Sequence, residues 1–185
     1  SVGTIQDCVN HAFNPSLSEG PVSQLKPKAQ PQHASSKTKQ SGECSLSGGG
    51  LDSQGDWEIE GEAMVTDVAI TYLGYVNRDT GVIEEIGHPL DGRAIQDKIL
   101  IYPKGSGSTV APYVLMGLIY TGKGPKAIVN RDVCSLTLPA CSLLDLPYSH
   151  GFDIDPCVAV NDGDTIRLRK TGELVSLEVI KRAGD

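Results

Sequence analysis

The stretch from residue 98 to residue 122 limits the possible folds more than any other part of this chain. KILIYP (98–103) is a continuous apolar run rich in β-branched residues, which is typical of a strand buried on both faces. A loop of small polar residues follows directly and leads into a helix predicted from about Val110 to Thr121. Apolar side chains occur on most sides of this helix, so we expect it to be buried. A strand, a loop and a buried helix in this order indicate an α/β fold.

The neighbouring segments extend this pattern into a sheet. KAIVN (126–130) predicts another short buried strand, and a second helix is predicted over about 139–145. WEIEGEAMVTDVAI (57–70) alternates and then turns apolar, as a strand does. DTIRLRKTGELVSLEVI (164–180) predicts a β-hairpin. Because strands flank two strand–loop–helix units, the predicted fold class is α/β with a compact mixed sheet.

Residues 14–55 have a different character from the rest of the chain. They are rich in Ser, Gly, Pro, Gln and Lys and contain few large apolar residues, so we predict a disordered linker. Residues 1–13 look like the tail of another folded element. The predicted organisation is therefore an N-terminal tail and flexible linker over 1–55 and a folded domain over 56–185. A fragment of a multidomain protein and a frayed N-terminal extension both fit this organisation.

Charge and hydropathy exclude two classes of partner. The net charge of −7 argues against nucleic acid, because a nucleic-acid-binding domain is expected to carry a basic surface. The longest clearly apolar run, residues 113–120, is far too short to span a bilayer. We therefore predict a protein that binds neither nucleic acid nor membrane.

The cysteines favour a reducing compartment. Their number is odd and no two form a C-x-x-C pair, which disfavours both a disulfide framework and a zinc site. We expect reduced thiols, a cytoplasmic location and no metal site in this chain. Two of the cysteines sit among apolar residues, where packing is a more ordinary role than reactivity. The five cysteines are Cys8, Cys44, Cys134, Cys141 and Cys157, of which Cys134 and Cys141 are the two in apolar company.

The loop between the strand and the helix is the best candidate for a functional site. The first N–H groups of a helix lack internal partners and carry partial positive charge, so glycine turns that lead into helices often bind anions. The spacing matches neither a Walker P-loop nor a G-x-S-x-G nucleophile turn. An anion or carbonyl ligand at the helix N-terminus and a simple Ser/Thr cap with glycine turns both remain open. The loop residues are Gly105, Ser106, Gly107, Ser108 and Thr109.

The histidines are weaker candidates. His11 and His33 lie in or near the predicted linker, where we expect them to be solvated. His88 in IGHPLDG and His150 in YSHGFD both sit in turns, and a lone histidine of this kind is more often structural than catalytic. No pair has metal-ligand spacing.

Five segments of this sequence together resemble the swivel domain, or small subunit, of aconitase X. They occur in the order found in that family and span residues 61–169, while the first 55 residues lie outside the resemblance. The segments are GEAMVTDVAITYLGYVNRDTGVI, HPLDGRAIQDKILIYP, GSGSTVAPYVL, PKAIVN and VNDGDTIRL.

The resemblance implies a swivelling β/β/α domain that closes over a large catalytic domain or subunit carrying iron or an iron–sulfur cluster. It implies a hydro-lyase that acts only together with that partner. The serine of the family's loop is assigned as the proton-abstracting base, and here that serine is Ser108. The sequence departs from the family pattern at residues 110–113, where Val-Ala-Pro-Tyr stands in place of a Gly-Ser before the tyrosine. The predicted substrate-binding residues are Gly105, Ser106, Gly107, Thr109 and His88.

The resemblance implies a small anionic hydroxy acid as substrate. Members act on mevalonate 5-phosphate or on 3-hydroxyproline, and the Ser/Gln/Pro-rich linker favours the hydroxyproline type. Three other functions remain open. An aconitase-type or isopropylmalate-isomerase small subunit is disfavoured by the HPLDG and PKAIVN segments. A phosphohistidine swivel domain would need a histidine in the glycine loop, and none lies between His88 and His150. A non-enzymatic binding module is the third.

Overall fold

The structure, a computed structural model, describes residues 45–184, so the predictions for residues 1–44 lie outside the described part. Seven strands and four short helices make up this region. The strands are β1 (Ser45–Gly50), β2 (Trp57–Val65), β3 (Ile99–Tyr102), β4 (Ala127–Asn130), β5 (Tyr148–His150), β6 (Thr165–Thr171) and β7 (Leu174–Lys181). The helices are α1 (Tyr72–Tyr75, a single irregular turn), α2 (Ala111–Tyr120), α3 (Leu138–Leu143) and α4 (Pro156–Ala159).

The strands form one closed barrel in the order β1-β5-β4-β3-β2-β6-β7, which closes where β7 pairs with β1. The contacts among β2, β3, β4 and β5 are parallel, and the remaining contacts are antiparallel. The predicted α/β class with a mixed sheet is therefore confirmed, and the sheet closes on itself. The predicted strands over 98–103 and 126–130, the C-terminal hairpin and the helix from about Val110 to Thr121 are confirmed as β3, β4, β6–β7 and α2.

Two apolar cores lie on opposite faces of the sheet. In β3, Ile99 and Ile101 point into the barrel, whereas Leu100 and Tyr102 pack beneath α2 and α3. All four residues of β3 have no exposed surface. Because both faces of the strand are covered, its sequence is apolar at every position, which is why the strand was predictable.

Helix α2 covers the sheet with one face only. Ala111, Leu115 and Leu118 are buried, but Tyr113 and Tyr120 are 70% and 87% exposed. The prediction of a buried helix therefore holds for its inner face but not for its outer face. No further layer of the described residues lies outside α2, so its outer apolar side chains face solvent.

Strand β1 is the main difference from the sequence prediction. Residues 45–50 fall within the predicted linker, yet β1 pairs with β5 and β7 and closes the barrel. Three consecutive glycines gave no strand signal, since glycine has a low strand propensity. They are needed for close packing, because a Cβ at Gly48 would lie 2.8 Å from the Phe152 ring and one at Gly50 would lie 2.9 Å from the Lys170 side chain. The predicted start of the domain at residue 56 is therefore too late.

Candidate functional site

The candidate site lies where the parallel strands end. The chain leaves the carboxyl ends of β2, β3 and β4 into three segments that contact one another, residues 66–71, 103–110 and 131–137. Ligands of sheets with parallel strands commonly bind at this edge, because several connecting loops meet there. The glycine loop, residues 105–109, is the middle of the three segments.

Gly105 is held on both sides. On one side it forms a parallel bridge with Ile70, whose carbonyl oxygen accepts the Ser106 N–H at 2.9 Å. On the other side its own N–H donates to Cys134 Sγ at 3.1 Å. The start of the glycine loop is therefore fixed to the segments that follow β2 and β4.

The other half of the loop has unused hydrogen-bond donors. The backbone N–H groups of Gly107, Ser108 and Thr109 have no acceptor within residues 45–184. Gly107 has a φ of +93°, a left-handed conformation that L side chains rarely adopt. Successive N–H groups around a left-handed residue form a concavity that binds anions. The predicted anion site is thus supported by geometry, with Ser108 exposed within it.

The position of the free N–H groups differs from the sequence prediction. At the N-terminus of α2, the Ala111 N–H donates to the Ser108 carbonyl at 2.9 Å and the Val110 N–H to Ser108 Oγ at 3.3 Å. Pro112 has no N–H, and the Tyr113 N–H donates to the Val110 carbonyl. The helix terminus is therefore largely satisfied, and the unpaired donors belong to the loop before it. The N-cap is Val110, so Ser108 is not the cap residue.

His88 lies in a turn of its own near the end of β2. Its N–H donates to the Glu85 carbonyl, and its Nδ1 accepts the Leu90 N–H at 3.0 Å. The proton of the neutral ring is therefore on Nε2, which is buried and has no partner among the described residues. No hydrogen bond links His88 to the glycine loop within residues 45–184.

An ion pair joins His88's turn to the same edge of the barrel. Arg93 donates to Asp162 at 2.7 Å, and the other oxygen of Asp162 accepts the Val65 N–H at the end of β2. Pro89, next to His88, lines a cavity of about 460 Å³ together with Thr66. The turn therefore lies beside the start of segment 66–71, and the glycine loop lies beside its end.

Charged groups surround the ends of β4 and β5. Arg131 contacts Asp155 at 2.7 Å. Burial alone would raise the pKa of Asp155, but hydrogen bonds from Arg131 and from the Cys157 N–H hold that pKa below its usual value. Burial lowers the pKa of His150, and nearby Asp132 opposes this shift. Neither Arg131 nor Asp155 has a sequence signal for this ion pair, because the pairing depends on two separate loops.

An apolar groove begins at the glycine loop. It has a volume of about 320 Å³ and runs between α2 and α3, with Thr109 at one end. Tyr113 and Leu143 in its wall are 70% and 69% exposed. The sequence indicated an apolar helix here but not that part of it faces outwards.

The described residues offer no metal centre. Within 45–184 there is no group of three or more His, Cys, Asp or Glu side chains placed to hold a metal ion. The cysteines of this region, Cys134, Cys141 and Cys157, are free. Iron or an iron–sulfur cluster therefore does not fit the side chains of the described domain. No helix in this range has the length and apolar character needed to cross a membrane.

Comparison with known proteins places this chain in a family. Residues 53–177 match the family model described as the aconitase X swivel domain. A phosphomevalonate dehydratase small subunit from Methanococcoides burtonii is 35% identical over 118 residues, covering 64% of this chain and 86% of the relative. The protein of the same name from Pyrococcus abyssi is 34% identical over 117 residues, covering 63% of this chain and 88% of the relative.

Two solved structures share the fold. The crystal structure of Thermococcus kodakaraensis aconitase X in its holo-form gives a TM-score of 0.63 at 28% identity, covering 72% of this chain and 98% of that chain. The solution NMR structure of a UPF0107 protein gives a TM-score of 0.64 at 29% identity, covering 75% of this chain and all of that chain. The match of residues 53–177, together with the shared barrel, shows that this chain belongs to the aconitase X swivel-domain family.

Proposed function

We propose that this chain acts as the small subunit or swivel domain of a dehydratase whose substrate is mevalonate 5-phosphate. The observation that carries the proposal is the exposed hydroxyl of Ser108 among three unpaired backbone N–H groups at the carboxyl ends of the parallel strands. Such an arrangement can hold an anionic group of the substrate and present one oxygen atom to it.

Ser108 is the proposed proton acceptor. An ordinary serine hydroxyl is too weak a base to remove a proton from carbon, so Ser108 must act as an alkoxide or within a relay. The positive end of the α2 dipole and the unpaired N–H groups of the loop both stabilise negative charge at this place. In the dehydration, the Ser108 alkoxide takes the proton from a substrate carbon, and the electron pair of that C–H bond forms the new C=C bond. The hydroxyl group on the adjacent carbon departs with the C–O bonding pair as hydroxide. Transfer of the abstracted proton from Ser108 Oγ to the hydroxide gives water and regenerates the alkoxide.

The backbone N–H groups of Gly107, Ser108 and Thr109 are proposed to bind a substrate anion, with the hydroxyls of Ser106 and Thr109 as further donors. Gly105 and Gly107 allow the backbone to approach the ligand. His88 is proposed to donate from Nε2 to the substrate, since that buried donor has no partner within the described residues. This role requires the substrate to reach from the glycine loop to the turn beside β2.

A large catalytic partner is proposed to supply the iron or iron–sulfur centre that assists the departure of the hydroxyl group. The described domain has no side-chain cluster that could hold a metal, which supports placing this chemistry on another domain or subunit. The apolar groove between α2 and α3 supports the position of that partner, because the groove starts at Thr109. A partner that closes over the loop would also cover the exposed ring of Tyr113.

The names of the relatives favour mevalonate 5-phosphate over 3-hydroxyproline. The composition of residues 14–55 favours the hydroxyproline type, but nearly all of that segment precedes the family match, which begins at residue 53. Sequence similarity within the folded domain bears more directly on the site. The free thiols of the domain suit a reducing compartment, so we propose a cytoplasmic location.

The test is an activity assay of the complete enzyme, made by combining this chain with its large partner. We expect turnover of mevalonate 5-phosphate by the complex and none by either component alone. 3-Hydroxy-L-proline is assayed in parallel as the second candidate substrate. Turnover of the hydroxyproline alone would overturn the proposed substrate, and dehydration of any hydroxy acid by the purified 185-residue chain would overturn the need for a partner. Failure to recover an iron-containing partner would favour a non-enzymatic binding module.

A further inference from the structure

Two buried cysteines near the candidate site, Cys134 and Cys141, differ in their hydrogen bonds. The Cys134 Sγ accepts the N–H of Gly105, the first residue of the loop, at 3.1 Å. Cys141 lies in α3, is fully buried in the apolar core beneath α2 and α3, and contributes a backbone carbonyl to the Gln54 side chain. Both thiols are buried, yet only Cys134 bonds to the loop that carries Ser108.

The backbone of Cys134 is itself held in place. Its N–H donates to the hydroxyl of Tyr148 in β5 at 3.0 Å. Its carbonyl oxygen accepts the N–H groups of Thr137 and Leu138 at 3.1 and 2.9 Å, at the start of α3. The position of the sulfur atom is therefore set by a strand of the barrel and by a helix, which is the support that a positioning residue requires.

The segment around Cys134 also limits how the loop can move. A Cβ at Gly105 would lie 3.2 Å from Thr137 Oγ1 and 3.3 Å from Leu136 Cβ. Thr137 Oγ1 contacts the Tyr102 hydroxyl at 3.3 Å, and that hydroxyl contacts the Tyr72 hydroxyl at 2.8 Å. The backbone of Gly105 thus rests on a buried hydrogen-bonded layer and has one sulfur acceptor for its N–H.

We propose that Cys134 is a positioning residue for the glycine loop, which it holds by accepting the Gly105 N–H. Gly105 is three residues before Ser108, so a displaced Gly105 shifts the serine and the unpaired N–H groups together. A misplacement of about 1 Å can reduce a rate by about a hundredfold. The expected effect on rate rests on the proposed function, whereas the hydrogen bond to Gly105 does not.

The first experiment measures hydrogen exchange of the Gly105 amide by NMR in the 185-residue chain. Wild type is compared with Cys134→Ala, Cys134→Ser and the matched control Cys141→Ala, with the amides of β6 and β7 as the reference for global unfolding. Relative to that reference, we expect Cys134→Ala to speed Gly105 exchange by about fivefold or more. Cys141→Ala truncates a second buried cysteine by the same volume but removes no hydrogen bond to the loop, so it should leave the Gly105 rate unchanged. Equal Gly105 rates in the two alanine variants would overturn the proposal.

The serine variant keeps the experiment informative if Cys134→Ala does not fold. It retains a hydrogen-bond acceptor and changes sulfur to oxygen, so the Gly105 amide proton should shift while the amides of β6 and β7 do not. An unchanged Gly105 resonance in Cys134→Ser would contradict the bond to sulfur.

The second experiment measures kcat and KM of the complete enzyme with the same variants. We expect Cys134→Ala to lower kcat by about 10- to 100-fold with little change in KM, Cys134→Ser to restore part of it, and Cys141→Ala to leave it near normal. Faster Gly105 exchange with an unchanged kcat would support the anchoring of the loop by Cys134 and contradict the proposed function of the loop in catalysis. An unchanged Gly105 exchange rate would remove the anchoring role whatever the kcat.

Discussion

The two sides of the barrel are built differently. On the antiparallel side, β2, β6 and β7 pair over long stretches, and the charges on their outer surface are matched across the strands. Arg169 faces Glu58 at 2.7 Å, and Arg167 lies between Glu60 at 2.7 Å and Glu178 at 3.8 Å. On the parallel side, β3, β4 and β5 have only three or four residues each.

The parallel side carries the loop donors that lack partners, although the buried indole N–H of Trp57 on the antiparallel side also has none within residues 45–184. The free N–H groups of the glycine loop and the side-chain oxygens of Asn130 and Ser149 all belong to this side. Cross-strand ion pairs stabilise a sheet, and their charges are already matched within the protein. Unsatisfied donors, in contrast, are available to a ligand. We therefore expect the antiparallel side to maintain the barrel and the proposed ligand site to lie on the parallel side.

Replacement of the proposed base should give the largest effect. Ser108→Ala in the complete enzyme should lower kcat by roughly 10²–10⁴-fold, because general-base catalysis contributes about that much. The melting temperature should change little, since the side chain is exposed and its hydrogen bond to the Val110 N–H is long, at 3.3 Å. Enzyme kinetics and thermal denaturation of the same variant measure the two quantities.

Ser106→Ala is the matched control, since Ser106 lies in the same loop and is assigned only hydrogen bonding to the anion. We expect it to cost about tenfold or less in kcat. If Ser108 were merely structural, its alanine variant would lose only the hydrogen bond to the Val110 N–H and would keep its rate. A stable Ser108→Ala enzyme with near-normal turnover would remove the serine from the mechanism.

Two glycine substitutions compare the parallel and antiparallel sides of the barrel directly. Gly107 and Gly172 both have a positive φ, of 93° and 59°, so alanine strains the backbone at each. A Cβ at Gly107 would also lie 3.0 Å from Thr71 Cγ2, whereas one at Gly172, in the β6–β7 turn, meets nothing within 4 Å. We expect Gly107→Ala to lower kcat by about 10- to 100-fold and Gly172→Ala to affect only the melting temperature. Equal kcat values would show that the sides do not differ in function.

The cross-strand ion pairs of the antiparallel side should give a smaller effect, on stability alone. Arg167→Ala removes contacts to Glu58, Glu60 and Glu178 on the outer surface of the antiparallel side. Exposed ion pairs contribute little, so we expect the melting temperature to fall by only a few degrees, less so at high salt, with kcat unchanged. A loss of activity without a loss of stability would place part of the site on the antiparallel side.

The smallest expected effect is a dependence of stability on pH at the end of β5. Burial lowers the pKa of His150 below its usual value of about 6.5, so unfolding binds a proton between the two values. The contribution of His150 is complete above pH 6.5 and is lost as pH falls towards the lowered pKa. Denaturant unfolding from pH 7 to pH 5 should show a shallower loss in His150→Gln than in wild type. Identical pH profiles would contradict the shift.

The parts of the fold that were predictable have a local cause. The apolar runs of β3 and β4 and the alternation of the C-terminal hairpin reflect burial at each position, which the sequence records directly. Strand β1 was missed because its glycines are required by Phe152, His150 and Lys170, which lie more than a hundred residues away in the chain.

The candidate site, like the fold, was predictable only in part. The glycine loop was found from its residue types and its place between a strand and a helix. The satisfied N-terminus of α2 was not, because Pro112 and the turn at Ser108 use the donors through backbone geometry. The hydrogen bond from the Gly105 N–H to Cys134 Sγ joins two loops, and the sequence of neither loop alone indicates it. Whether Ser108 is the base stays a prediction.

The position of β1 has a consequence for how the chain folds during synthesis. β1 leaves the ribosome before every other strand of the barrel, but its two partners, β5 and β7, are made late. Until then the growing sheet has two open edges, which are sites where strands of other chains can add. A chain that begins at Trp57 would keep those edges open permanently. We expect such a truncated chain to aggregate, because β1 pairs with the two edges that would otherwise be open to strands of other chains.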